Sequence, residues 1–444
     1  MFKISGTGRL AAFCAAAATA LVLAACGSGD NNNNATAAPA ADSKVNSLQS
    51  IRHVWVITLE NEAYDATFGA SSPARYLSQT LVSQGALLQQ YYGTTHSSLG
   101  NYIAMISGQS NTADNVMDCA TSIQDISVTG MADHGQVIGT GCVYPASVKT
   151  LPNQLKAVNL TWKGYMEDMG NDPTRERATC GQPAVKAPDN TNTPLAPSPA
   201  VPAGDQYAAR HNPFVWFHAI TDTPDCDSSV VNLEQMKADL KSVDTTANFN
   251  FITPNVCHDG HDTGCASGEP GGLTSADAFL QYWIPIIQAS PAYQKDGLII
   301  VNFDEGIAAG STSIDTNASP ATMTLSQLGQ SCCNQQPGPN VTYPLTQTIN
   351  IPNGYKVQVG KDGSGNPVYV TVGTIYNTTQ SWGGDRTGAV LLSKFIKPGT
   401  VTTTGYNHYS LLKSLEDIFQ VGGYLGYAGQ DGLQSFGADI FTNF

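Results

Sequence analysis

The chain has 444 residues, 41% of them hydrophobic and 13% charged. That is enough apolar material for a sizeable core and too little charge for a disordered or coiled-coil chain. Its net charge of −14 excludes nucleic-acid binding through the overall field, because such binding rests on clustered Lys and Arg. The length allows two or three domains, or one large α/β unit.

Lys3 and Arg9 open the chain, and Ala11 to Leu23 is apolar but short for a membrane span. The run ends in Leu23-Ala24-Ala25-Cys26, which resembles the lipobox of bacterial lipoproteins. The expectation is a signal peptide over 1–25 and a lipid anchor at Cys26, with the chain facing the periplasm or cell surface. An ordinary secretory signal with a chance Cys is the alternative. Residues 26–48 are polar and rich in Asn, Ala and Pro, as expected of a flexible tether. Residues 49–444 then form a single catalytic domain.

Beyond Cys14 and Cys26, eight cysteines remain, and in an exported chain they suggest disulfides. Local pairing gives Cys119–Cys142, Cys180–Cys226 and Cys257–Cys265. Cys332 and Cys333 then form a vicinal bridge or stay free. A zinc site is the alternative, but the paired C-x-x-C motifs it wants are missing.

His53 to Leu59 reads as a buried strand closed by Glu60-Asn61. Residues 74–90 carry Tyr76, Leu77, Leu81, Leu87 and Leu88 at helical spacing. Leu99 to Ile106 reads as a short helix stopped by Ser107-Gly108, and 185–205 as a surface loop. Phe249 to Pro254 is a second strand, running into Asn255 to Asp262. A helix follows, capped by Thr274 or Ser275, with Ala278, Phe279, Tyr282, Trp283, Ile286 and Ile287 inward. Gly297 to Phe303 is a third strand, ending in Asp304-Glu305-Gly306. Residues 307–380 read as an insertion with one hairpin, Tyr355–Val359 against Val368–Val372. Ala389 to Ile396 is strand-like, and Tyr409 to Phe419 is a final helix. Strands alternating with helices indicate an α/β fold: a largely parallel central sheet with helices on both faces and a β-rich insertion.

Three strands thus end in polar clusters, and ligands of open α/β sheets bind outside the carboxyl ends of strands. If the three are parallel neighbours, several carboxylates meet, which is costly unless a cation neutralises them. The oxygen-rich set Glu60, Asn61, Asp304 and Glu305 favours one divalent Mg²⁺, Ca²⁺ or Mn²⁺, with Zn²⁺ left open by nearby histidines. Ser98 precedes the predicted helix, where backbone N–H groups suit a phosphate and a metal would activate its hydroxyl. Equally, Ser97 or Ser98 could simply cap that helix.

Glu60-Asn61-x-x-Tyr64-Asp65-x-x-Phe68-Gly69 resembles the opening motif of the phosphoesterase family, which includes bacterial acid phosphatases and non-specific phospholipases C, in the alkaline phosphatase superfamily. Ser98-Leu99-Gly100-Asn101-Tyr102, Pro254-Asn255…Asp259-Gly260-His261-Asp262, Asp304-Glu305-Gly306, His211-Asn212-Pro213-Phe214 and Asn407-His408-Tyr409-Ser410 resemble further blocks, in the expected order. The resemblance implies an alkaline-phosphatase-like fold. It also implies a metal held by Glu60, Asn61, Ser98, Asp304 and Glu305, with Ser98 as nucleophile. By the same resemblance His211 and His261 contact the phosphoryl group, and His261 protonates the leaving oxygen. Asn171, Asn101 and His258 are further candidates for substrate contact. Gly100 stands where the family usually has Pro, which loosens the turn that places Ser98.

His96 and His408 could tie loops to the backbone, and His258 could be a supporting partner rather than a contact. The expected activity is phosphomonoester hydrolysis through a phosphoseryl intermediate. A phospholipase C or other phosphodiesterase with the same centre is the first rival, and a non-catalytic ligand-binding lipoprotein is a rival of another class. A serine hydrolase would want a G-x-S-x-G elbow, and the chain lacks one around Ser98.

Overall fold

The structure, a computed structural model, describes residues 48–443 apart from 121, 362 and 381. Strand β1 (His53–Leu59) is buried along its whole length. Its Val54 and Val56 point into one apolar cluster, while Trp55, Ile57 and Leu59 point into another. A strand buried on both faces needs no polar side, which is why its sequence is apolar from Val54 through Ile57 rather than alternating. The other strands of the sheet are β2 (Ala86–Leu88), β3 (Trp162–Met166), β4 (Val230–Asn232), β5 (Phe249–Thr253), β6 (Gly297–Phe303), β7 (Ala389–Leu392) and β8 (Thr400–Thr402). They form an eight-stranded sheet in the order β8-β2-β7-β6-β1-β5-β3-β4. Only β7 runs against the rest. The three strands expected to carry the chemistry are direct neighbours: β1 pairs in parallel with β6 on one side and β5 on the other.

Helix α1 (Ser98–Ser107) and helix α3 (His408–Phe419) contribute to the first apolar cluster, and α2 (Gly272–Gln288) contributes to the second. The sheet is therefore covered on both faces, as expected. The chain turns out of α1 at Gly108, whose φ of 67° lies in the left-handed region that glycine adopts without strain.

Two expectations shift. Residues 74–90 are not one helix: helical structure covers 76–84, and Leu87 and Leu88 belong to β2. Gly85 makes the change of path possible, because a Cβ there would lie 2.0 Å from the Leu391 carbonyl oxygen. In α2 the inner face includes Ala276, Leu280 and Ile284 beside Phe279, Trp283 and Ile287. Tyr282 is 53% exposed, and Ala278 is exposed too. The helix starts at Gly272, and neither Thr274 nor Ser275 is its cap.

The insertion forms a second sheet, in the order Ala309–Asp315, Ala321–Leu328, Pro367–Gln380, Leu345–Lys361. The expected hairpin is present, with Tyr355 opposite Val372 and Gln358 opposite Tyr369. This sheet has a small core of its own around Ala321, Met323 and Val372. All three local disulfides and the vicinal Cys332–Cys333 bridge are formed. Among the described residues no helix is long and apolar enough to cross a membrane. The expectations for residues 1–25, for the tether through 47 and for Cys26 lie outside the described residues.

Glu416, near the end of α3, is buried and accepts the Leu425 N–H at 2.8 Å. Burial pushes its carboxyl up to about 8. Between the ordinary value of 4.5 and that value, the folded chain keeps a proton that the unfolded chain releases. Stability contributed by this group is therefore complete at low pH and falls as pH rises toward 8. Glu416→Gln is expected to remove this loss. Melting curves at pH 5 and 8.5 should show a smaller decline for the variant than for the native chain.

Candidate active site

The β1 chain leaves the sheet at Glu60, which is 1% exposed. Its backbone N–H is anchored to the Asp259 carbonyl at 2.7 Å. Its carboxylate receives two hydroxyls: Ser98 Oγ donates to Oε2 at 2.7 Å, and Tyr102 donates to Oε1 at 2.6 Å. These residues lie one helical turn apart on α1, so a single helix presents both to the same carboxylate. The capping alternative fails for both serines. Ser97 occupies the cap position but its side chain makes no capping bond, and Ser98 is the first helical residue with its hydroxyl on Glu60. The Leu99 N–H is instead taken by Asp118 Oδ1 at 2.9 Å. Burial pushes the Asp118 carboxyl up to about 6.

Gly100 does not loosen the segment. It lies inside α1, and a Cβ there would meet Asn111 Oδ1 at 1.9 Å and Ser97 Oγ at 2.8 Å. A proline would collide with Asn111, so glycine is what this packing accommodates.

At the end of β6, Asp304 and Glu305 face the same place. Asp304 Oδ1 accepts the backbone N–H of Asn61 at 3.0 Å and of Glu305 at 2.6 Å. Asn61 Nδ2 donates to Glu305 Oε1 at 2.9 Å. Asn61 sits at φ 33°, a left-handed conformation that Asn tolerates better than most residues. The Asn61 Oδ1 and Asp304 Oδ2 atoms are buried with no hydrogen-bond partner. Two orphaned oxygens beside buried carboxylates fit a hard cation, which takes oxygen ligands, and supply no sulfur for a soft one. Burial, with Asp304 and Asp259 adding repulsion, raises the Glu60 carboxyl well above its usual range. Burial and then Glu305 do the same to Asp304.

His211 stacks on the Tyr102 ring with centroids 5.4 Å apart. Its Nε2 is 3.3 Å from Glu60 Oε2, and its Nδ1 is 3.9 Å from Asp259 Oδ2. Burial first, then Arg210 and His261, hold the imidazole well below its usual value. The Asp259 carboxyl is itself pushed up to about 8 by burial. His261 is half-exposed, with its backbone N–H on Asp259 Oδ1 at 3.0 Å.

Two histidines brace this centre. His96 places Nδ1 2.9 Å from Glu305 Oε2 and Nε2 2.8 Å from Asp385 Oδ2. Burial opposes its charge, but these two carboxylates outweigh it and raise the imidazole to about 10. His408 donates from Nε2 to the Asp304 carbonyl and receives the Tyr91 hydroxyl on Nδ1 at 2.9 Å. Burial lowers it to about 4. It is thus a loop tie, but one that fixes the backbone of Asp304.

The structure therefore brings Glu60, Asn61, Ser98, His211, Asp304 and Glu305 together. It uses Asn101 differently from a substrate contact. Asn101 Oδ1 accepts from Thr94 and Thr95, and its Nδ2 donates to the carbonyls of Thr95 and Ser97, so the side chain is spent on the loop before α1. Asn171 and His258 lie elsewhere as well. Asn171 Nδ2 bonds Asp168 and the Gly204 carbonyl, His258 Nδ1 bonds Glu167, and both residues line a separate cavity.

Tyr102, Asp118 and Arg210 were not foreseen. Tyr102 stood inside the Ser98 motif, one turn from the serine. Arg210 precedes His211, and its charge acts on Asp118, Asp259 and His211. Asp118 carries no local signal, because only the folded chain brings it under α1.

A model of the Phosphoesterase family matches residues 71–422. The chain belongs to the Phosphoesterase family. Among the curated relatives of this family member, a phosphate-repressible acid phosphatase of Penicillium chrysogenum is 25% identical over 226 residues, covering 51% of this chain and 42% of that protein. A phosphatidylinositol-3-phosphatase of Mycobacterium tuberculosis is 23% identical over 280 residues, covering 63% and 72%. The chain spans about half or less of the length of the acid phosphatases it matches. A solved murine ectonucleotide pyrophosphatase/phosphodiesterase 5 aligns over 88% of this chain and 99% of that one, at 12% identity and a TM-score of 0.40.

Proposed function

We propose that this chain hydrolyses phosphomonoesters through Ser98, with one divalent metal ion at the oxygen cluster. The observation that carries this reading is the Ser98 Oγ–Glu60 Oε2 hydrogen bond of 2.7 Å, at a point where neighbouring strands deliver Asn61, Asp304 and Glu305. Family membership and relatives named acid phosphatase support the same chemistry.

Glu60, Asn61, Asp304, Glu305 and Ser98 would hold the metal. When bound, it would offset the carboxylate charge, lower the serine's pKa and withdraw charge from the transferring phosphoryl group. Ser98 Oγ gives up its proton to Glu60 Oε2, the carboxylate oxygen it already bonds, and attacks phosphorus. An Oγ–P bond forms, the ester P–O bond breaks, and the leaving oxygen takes a proton from His261. Water then attacks the phosphoserine and gives a proton back to His261, Oγ leaves with the proton held at Glu60, and inorganic phosphate is released. Tyr102 fixes the Glu60 carboxylate from its other oxygen, and His211 stands beside it.

The anchor proposed for Cys26 would hold this domain on a bacterial membrane, facing the periplasm or the cell surface.

A substrate panel tests the reaction class. p-Nitrophenyl phosphate should be turned over, whereas bis-p-nitrophenyl phosphate and phosphatidylcholine should not. The reverse pattern would make the chain a diesterase. Tyr102→Phe should leave the fold intact and weaken metal affinity roughly tenfold or more, as loss of a ligand's hydrogen-bond partner does. Metal titration followed by calorimetry reads this directly, and unchanged affinity would remove Tyr102 from the account.

A further inference from the structure

Away from the Ser98 centre lies a cavity of about 530 Å³. One wall is aromatic. Phe279 and Trp283 are nearly buried, and Tyr282 is 53% exposed. Four carboxylates share the lining: Glu167, Asp168, Glu234 and Glu269. Carboxylates outnumber the two nearby cations, His258 and Lys237. His258 is engaged by Glu167 at 3.0 Å and Glu269 at 3.5 Å.

Lys237 shows what the aromatic wall attracts. Its ammonium stands 5.2 Å from the Tyr282 ring centroid and 5.1 Å from that of Trp283, and it is tethered to Glu234 at 2.6 Å. The chain's own cation thus already uses these ring faces, from a half-exposed side chain that does not itself line the cavity. Ring faces attract ammonium groups through their quadrupole, most strongly where water is partly excluded. Carboxylates in the same lining add Coulomb attraction, and an anion would be repelled.

We propose that this cavity is a binding site for the alkylammonium head group of a small organic ligand, held by the Tyr282 and Trp283 rings and the Glu167 and Glu269 carboxylates. The site does not depend on the reaction assigned to Ser98.

The test is isothermal titration of the full chain with tetramethylammonium chloride, against sodium chloride of equal ionic strength. Ethanolammonium chloride is run in parallel, to compare a head group that donates hydrogen bonds. Saturable binding beyond the salt control is expected. Tyr282→Ala should weaken it at least fivefold, as should Glu269→Gln, and both residues are exposed enough for the chain to fold. Lys237→Gln should strengthen it severalfold by removing the competing internal cation. Heats equal to the salt control would overturn the site, as would binding indifferent to both Tyr282→Ala and Glu269→Gln. Weaker binding in Lys237→Gln would mean that the lysine belongs to another arrangement, and would also sink the proposal.

Discussion

Ser98→Ala is expected to lower phosphomonoester turnover by on the order of 10⁴-fold or more, as removal of an attacking hydroxyl does in other hydrolases. The fold should survive. Ser98 contributes one hydrogen bond, to buried Glu60, and leaving such an acceptor unpaired costs roughly 1–3 kcal/mol. Tyr102 still satisfies the other Glu60 oxygen. Steady-state kinetics and a melting curve on the same preparation separate the two effects. Turnover within tenfold of the native chain would show that Ser98 is not the attacking group. A collapse in melting temperature would show that its role is to support the fold.

Asp304→Asn has the second large effect, and its sign on stability depends on metal. Asparagine can keep the two backbone N–H bonds that Asp304 Oδ1 accepts. The change falls on Oδ2, the buried oxygen with no partner. Turnover should drop by about 10³-fold, within the range seen when catalytic electrostatics are removed. In metal-stripped protein the variant should melt at or above the native temperature, because one of several crowded buried carboxylates has been neutralised. In protein saturated with the activating metal it should melt below the native chain, because binding to the folded state stabilises only where affinity is kept. A variant less stable in both conditions would count against a metal at this cluster.

Much of this centre could be read from the chain because β1, β5 and β6 are mostly apolar runs closed by polar residues. Buried parallel strands have that pattern, and parallel neighbours must release their ends on one side of the sheet. Nearest-neighbour pairing also placed the disulfides. The misplacements share a physical origin. Leu87 and Leu88 fit a helical period, but Gly85 lets the chain leave the helix and pair with β7. Tyr282 fits an amphipathic stripe, yet the stripe of α2 runs through Leu280 and Ile284 instead. Asn101 has both the chemistry and the place for a phosphate contact, but the loop at Thr94 to Ser97 needs its amide more. Asn171 and His258 lie on segments that border the sheet's end, and only side-chain partners such as Asp168 and Glu167 decide which cavity they serve. Asp118 and Arg210 act across the fold, so no local pattern marks them.

The most direct test traps the covalent step. Full-length protein loaded with divalent metal is mixed with a phosphomonoester and quenched in acid within its first turnovers. Proteolytic peptides are then read by mass spectrometry. Phosphate on the peptide at Ser98, absent after metal removal and absent from Asp304→Asn, is the predicted result. Turnover with unmodified Ser98, or phosphate on another residue, would contradict the account.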